Sequence, residues 1–277
     1  MDLYNLTAFE CSKIITQKYS TSFTLGIKTL YKKFHFPIYA IYGFVRCADE
    51  IVDTFDGYDK AKLLKNFRED TFEAIQQKIS SNPVLHAFQL IQHKYSIDFE
   101  LVNAFLNSME MDLYNHKYDK DNYQEYIYGS AEVVGLMCLK VFCEGNLEQY
   151  EQLKEPARKL GAAFQKVNFL RDLKDDYIDR GRTYFPGIDF RHFSHDVKSM
   201  IEEEIQEDFN EAYKGILKLP EGSKLGVYLA YIYYLQLFKK IRNCPASKII
   251  NERIRIPDNK KLVLLVESYF RHRFNFL

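Results

Sequence analysis

Two acidic patterns stand out in this 277-residue chain. The first is Arg46-Cys47-Ala48-Asp49-Glu50-Ile51-Val52-Asp53. On a helix, Asp49 and Asp53 share one face at a separation of about 6 Å, with Tyr42, Val45 and Arg46 on or beside it. The second runs from Gln165 through Asn168, Arg171, Asp172 and Asp176, with Arg182 and Tyr184 shortly after. At 100° per residue, Gln165, Asn168, Asp172 and Asp176 fall within an arc of about 80°, and Asp179 lies near its edge. Like charges at i,i+4 disfavour a bare helix by a few tenths of a kcal/mol. Carboxylates flanked by core-like sequence such as IYAIYGFV need a cation. Hard oxygen donors suit Mg²⁺, which keeps several waters and bridges to phosphate oxygens. Arginine forks match phosphate bidentately. The chemistry indicated is therefore metal-assisted handling of a phosphorylated substrate. A lone DxxxD is usually a solvated helix face. Two of them, each with a neighbouring Arg and one with an aligned Gln/Asn stripe, are not explained that way.

The elements that must position these residues are helices. Apolar residues recur at three- and four-residue spacing almost throughout, and Val/Ile/Thr alternation is rare. Glycine (12) and proline (7) are scarce. The expected fold is all-α, a single domain over 1–277. Pro37 suits a first-turn position for a helix ending near Asp56-Gly57. Asp121 with Gln124 reads as a capping box for the following run, with Gly145 as its C-cap. Pro156 reads as the start of a helix that runs through Asp179 and Arg180 to Gly181. Asn82-Pro83 and Leu219-Pro220 mark breaks. Two helices are expected beyond residue 220, separated by the polar stretch from Pro245 to Asn259.

Composition excludes some functions. Hydrophobic residues make up 47% and charged residues 27%, which suits a packed core. Lys+Arg and Asp+Glu balance at 38 each, so no global field draws the chain to nucleic acid. Aromatic residues reach 16%, from Tyr 21 and Phe 22 with no Trp. Core filling accounts for much of this; some rings could line an apolar tunnel or face a cation. The five cysteines show neither CxxC nor CxxH spacing, which fits thiols in a reducing compartment. The sequence shows no secretory signal and no uncharged apolar run near 18 residues. The expected location is cytoplasmic, with peripheral contact at the inner face of the membrane as an added expectation. His192 and His195 read as solvent-facing loop residues rather than a metal pair.

These residues carry a resemblance. KYSTSFTLG (18–26), YAIYGFVRCADEIVD (39–53), YIYGSAEVVG (126–135) and LGAAFQKVNFLRDLKDDYIDRGRTYFP (160–186) resemble segments of the squalene/phytoene synthase family, the head-to-head (1′–1) prenyl synthases. The last segment is highly specific. The resemblance implies an isoprenoid-synthase-type helical bundle around a central cavity, in which two prenyl diphosphates condense through a cyclopropyl diphosphate. It implies that Asp49, Asp53, Asp172 and Asp176 hold Mg²⁺, with Asn168 a further ligand or close neighbour and Gln165 lining the cavity. Arg46, Arg171, Arg182 and Tyr184 would bind diphosphate oxygens, as would Ser20 and Ser22, with Tyr126 near the reacting carbons. Tyr19 stands where several relatives carry His, and Ala131-Glu132-Val133 replaces a stretch of smaller residues, which puts Glu132 in doubt as a cavity residue.

The YSTSFTLG segment and the lack of a C-terminal anchor tilt the expectation toward two geranylgeranyl diphosphates giving phytoene. Farnesyl-using squalene, dehydrosqualene or presqualene diphosphate synthases are the alternative, with NADPH needed only for a squalene-type product. A non-catalytic assembly-factor relative is a distant third. A monomer is expected. Phe23 and Ile27 read as core packing, with a tunnel wall as the alternative. Arg253, Arg255, Lys260 and Lys261 read equally as a segment closing over a diphosphate and as a solvated loop. The terminal YFRHRFNFL reads as an ordinary last helix.

Overall fold

The computed structural model describes residues 2–114, 118–176, 181–188 and 193–274. Its elements are helices, and no strand occurs among the described residues. In chain order they are α1 (Asp2–Tyr19), α2 (Thr21–Lys28), α3 (Lys32–Asp53), α4 (Lys60–Gln77), α5 (Pro83–Lys94), α6 (Phe99–Tyr114) and α7 (Lys120–Ile127). A π-helical turn (Tyr128–Glu132) joins α7 to α8 (Val133–Cys143). Then come α9 (Leu147–Arg171), α10 (His195–Ile216), α11 (Glu221–Arg242), α12 (Ala246–Asn251) and α13 (Asp258–Arg273). The most extensive contact is α10 on α9; α8 packs on the other side of α9, and α1 lies across α3 and α5.

Start and stop chemistry explains most boundaries. Asn82 caps α5 through its side chain, with Pro83 at the first position. Pro220 precedes α11. Four boundaries differ from the sequence reading. First, α3 starts at Lys32, so Pro37 lies in its second turn, and it ends at Asp53. The buried Phe34 explains the earlier start: its ring meets Phe142 edge-on at 5.5 Å, and that packing offsets the one amide bond Pro37 cannot make. Second, Asp119, not Asp121, caps α7, accepting from the Asn122 amide. Third, Asn146 caps α9, so Pro156 lies inside it, and the helix stops at Arg171 with Asp172 as its C-cap. Asp179 and Arg180 lie outside the described residues. Fourth, the region beyond 220 holds three helices, because short α12 interrupts the expected polar stretch. Glu144, at φ 47°, takes the left-handed position one residue before Gly145.

One run, 120–143, is long and apolar enough to cross a membrane by composition alone. It is built into the bundle instead, with Val133, Leu136, Met137, Leu139 and Val141 almost fully buried. On α3, the fully buried Phe44 stacks on Phe88 at 4.0 Å and meets Phe67 and Phe105 at 5.7 and 5.3 Å. That aromatic cluster anchors one side of α3, leaving Tyr42, Val45, Arg46 and Asp49 turned to a cavity on the other.

Candidate active site

A cavity of about 730 Å³ lies at the centre of the bundle, walled by α2, α3, α6, the π turn, α8, α9, α10 and α11. Its polar end is formed by the two acidic patterns. Asp49 and Asp53 enter from α3, and Asp172 and Asp176 from the end of α9 and the turn after it. That turn is held by backbone bonds: Asp172 N–H donates to Asn168 O at 2.8 Å, Asp176 N–H to Asp172 O at 2.9 Å, and Arg182 N–H to Asp176 O at 2.8 Å. Gln165 and Asn168 occupy the last turns of α9 on the same wall. The second acidic pattern therefore reaches the cavity around a helix end rather than along a continuous helix.

Guanidinium groups stand against both acidic faces. Arg46 pairs with Glu50 and lies 3.8 Å from Asp49, with the Tyr19 ring 4.5 Å beneath it. Arg171 pairs with Asp172, and Arg253 Nε donates to Asp172 Oδ1 at 2.7 Å from the segment after α12. Burial opposes the Arg171 charge, but the bond and charge of Asp172 hold it firmly protonated. Arg182 Nη1 lies 3.3 Å from Asp53 Oδ1. Arg182 itself does not border the cavity.

Negative charge still dominates this end. A third of the Asp49 side chain opens to the cavity. Burial nevertheless pushes its carboxyl up to about 7, with Asp53 and Asp112 adding to the shift and Arg46 opposing it. Among the described residues, no three His, Cys, Asp or Glu side chains converge as a ready-made metal cage.

Away from the acids the wall is aromatic and aliphatic. Phe164 stacks on Tyr234 at 3.9 Å, Phe169 on Tyr184 at 4.2 Å, and Tyr126 on Tyr184 at 5.2 Å. Phe23 packs against Tyr42 at 5.5 Å, and both Phe23 and Ile27 border the cavity. Tyr234 donates to Asn168 Oδ1 at 3.3 Å. Such a chamber is apolar at one end and charged at the other.

The structure brings together Asp49, Asp53, Asp172, Asp176, Tyr126, Ser20, Arg46, Gln165, Asn168, Arg171 and Tyr184 on one cavity wall. Ser20 also caps α2, accepting from the Phe23 amide at 3.2 Å. Ser22 instead faces a narrow crevice with Lys261 and Leu264. Glu132 turns from the cavity to Arg158 Nε at 2.6 Å. Arg255 is exposed, Lys261 donates to Thr21 at 3.0 Å, and the side chain of Lys260 lies outside the described set. His195 pairs with Ser199 at 3.3 Å, and His192 lies outside the described residues.

Sequence reasoning missed Asp112. It is 7% exposed, borders the cavity from α6 and accepts bonds from Tyr126 and Tyr118. Burial pushes it up to about 6, against the opposing charge of Arg182. The signal was present: an acid three residues after Met109 and seven after Phe105, on the buried face of an amphipathic helix.

The model of the squalene/phytoene synthase family matches residues 16–260. A phytoene synthase of Arthrospira platensis is 26% identical, over 96% of this chain and 94% of its own length. A 15-cis-phytoene synthase of Synechocystis sp. is 25% identical, over 95% and 85%. Among solved structures, a dehydrosqualene synthase crystallised with ligand superposes with a TM-score of 0.81 at 22% identity, over 97% of this chain and 98% of that one. The helical bundle is thus the fold of that synthase as well.

Proposed function

Because this chain belongs to the squalene/phytoene synthase family, we propose that it condenses two prenyl diphosphates head to head, and that the substrate is the C20 diphosphate and the product phytoene. The observation that carries this reading is the two-ended cavity, with paired aspartates and arginines at one end and stacked phenyl and phenol rings along the rest. The two phytoene synthases at 26% and 25% identity support the choice of C20.

The donor set fits Mg²⁺. Asp49, Asp53, Asp172 and Asp176 supply hard oxygens, and burial, with Asp53 and Asp112 beside it, pushes Asp49 up in a way an added cation would offset. The absence of a preformed cage among the described residues suits an ion completed by phosphate and water oxygens. When bound, Mg²⁺ would neutralise the diphosphate as a leaving group.

The chain's own residues do the rest. Arg46, Arg171 and Arg253 are placed to exchange their aspartate partners for diphosphate oxygens. Departure of the first diphosphate leaves an allylic cation. The double bond of the second substrate attacks it, and loss of a proton closes the cyclopropane ring. The apolar wall keeps water from quenching the cation. Each ring facing the cation adds up to about 2 kcal/mol in a desolvated site; Phe23, Tyr42, Phe164 and Phe169 line that path.

The test is incubation with Mg²⁺ and labelled C15 or C20 diphosphate, with and without NADPH, followed by hydrocarbon extraction. A C40 product from C20 without NADPH supports the proposal. A C30 product moves the assignment to the farnesyl-using enzymes, and its NADPH dependence distinguishes squalene from dehydrosqualene. No product from folded protein overturns the synthase reading.

A further inference from the structure

Tyr126 and Tyr184 form the cavity wall between the two acidic faces, and both phenols turn their hydroxyls to one acceptor. Tyr126 donates to Asp112 Oδ2 at 2.7 Å, and Tyr184 to Asp112 Oδ1 at 3.5 Å. Tyr118, which does not border the cavity, donates to Oδ1 at 3.3 Å. Arg182 donates to the Asp112 backbone carbonyl at 2.9 Å and spans from there to Asp53 at 3.3 Å. One carboxylate on α6 thus gathers three phenols and adjoins the arginine that meets the first acidic face.

A phenol has one proton to give. Once that proton points at Asp112, the oxygen has only lone pairs left for other contacts. An ionised carboxylate accepts and cannot donate, so it enforces this direction; an amide in its place could reverse it. We propose that Asp112 is a positioning residue: by accepting the Tyr126 hydroxyl, it leaves that phenol oxygen with only lone pairs to present to the cavity, and the stacked Tyr184 ring supports it. This rests on the prenyl synthase reading of the cavity and deepens it.

The polarity suits the chemistry. A reaction that passes through an allylic cation is helped by fixed acceptors and opposed by a hydroxyl proton aimed at the charge. Phe169 holds the Tyr184 ring at 4.2 Å and 8°, so the rings cannot easily turn to compensate. The arginines proposed to hold the diphosphate (Arg46, Arg171 and Arg253) pair with other acids. Asp112 meets a different arginine, Arg182, whose guanidinium lies 3.9 Å from its carboxylate and reaches Asp53.

Asp112→Asn keeps the shape and removes the charge that fixes the donor direction. It is expected to lower kcat by about 10²-fold, the scale of losing one preorganised electrostatic contact, while KM changes by less than about threefold because Arg46, Arg171 and Arg253 keep their own acid partners. Asp112→Glu, which keeps the charge, should recover part of kcat. Tyr118→Phe removes a donor outside the cavity; it should lower the melting temperature and leave kcat within about twofold. The Raman tyrosine doublet, which reports whether a phenol donates or accepts, should shift in Asp112→Asn relative to wild type. Wild-type kcat in folded Asp112→Asn, or an unshifted doublet, overturns the proposal. So does an equal loss of kcat in Tyr118→Phe, which would mean a purely structural role. Should Asp112→Asn not fold, Asp112→Glu carries the test, and a loss of kcat no smaller than that of Asp112→Ala overturns the proposal. If wild type turns over neither C15 nor C20 diphosphate, the synthase reading fails, and the doublet still decides the hydrogen-bond direction.

Discussion

At Asp49, burial and two neighbouring acids raise the carboxyl to about 7, and only Arg46 opposes them. The folded value lies above the ordinary aspartate value of 3.8. Between those limits the native protein holds a proton that the unfolded chain has released. The stability linked to this group is greatest below that window and falls as pH rises through it. Asp49→Asn removes the titration. Thermal melts should show a flatter dependence of Tm on pH between about 4 and 7, and a Tm a few degrees above wild type at pH 8. Diphosphate release by the same variant should fall by more than about 10²-fold, because a cation ligand is gone. A wild-type pH profile in Asp49→Asn would refute the electrostatic account. The acid that costs the fold stability is the one the proposed chemistry needs.

At the scale of elements, the α9–α10 pair and the π turn decide where the site residues sit. Lys166 on α9 is 5% exposed and donates to Asp208 on α10 at 2.6 Å, with Glu204 as a second partner. Lys159 donates to the other Asp208 oxygen at 2.9 Å. Lys166→Met leaves Asp208 with half its countercharge. Urea unfolding should show a loss of about 2 kcal/mol, smaller than for a fully orphaned buried charge because Lys159 remains. In Lys166→Met/Asp208→Leu much of that loss should return. The π turn lets α7 and α8 run almost continuously while shifting the phase of the helix after Tyr126. Gly129 makes the close approach possible: a Cβ there would lie 2.5 Å from Ala104 O and 2.7 Å from Ser108 Cβ on α6. Gly129→Ala should cost about 1–3 kcal/mol in the same assay, because α6 must move. Since α6 carries Asp112, kcat should fall with it.

At the scale of the whole molecule, the cavity joins faces supplied by helices far apart in the chain. Its acidic end sets Asp49, Asp53, Asp112, Asp172, Asp175 and Asp176 beside Arg46, Arg171 and Arg253, so Mg²⁺ and diphosphate should bind together rather than singly. Differential scanning fluorimetry should show little change with Mg²⁺ alone. With Mg²⁺ and a non-hydrolysable prenyl thiodiphosphate at a hundred times its Kd, stability should rise by about 2.7 kcal/mol. Equal shifts from the metal alone would mean that the protein carries a complete metal cage after all.

The helical class and the two acidic patterns were legible in the sequence because each depends on local spacing, whereas Ser20, Tyr126 and Tyr184 were reached only through the family resemblance. A 3.6-residue repeat puts Asp49 with Asp53, and Gln165 with Asn168, whatever the rest of the chain does. Breaks at Asn82-Pro83 and Leu219-Pro220 were legible for the same reason. Tertiary structure alone decided where packing outweighed local preference. Pro37 and Pro156 lie inside helices because buried contacts such as Phe34 on Phe142 compensate a missing amide bond. Glu132 turned to Arg158, and Ser22 to a separate crevice, because the phase of each helix is set by its neighbours. Asp112 became part of the site through tyrosines 14 and 72 positions away. Nothing in their spacing announces that meeting; it exists because α6, α7 and the segment after α9 are packed around one cavity.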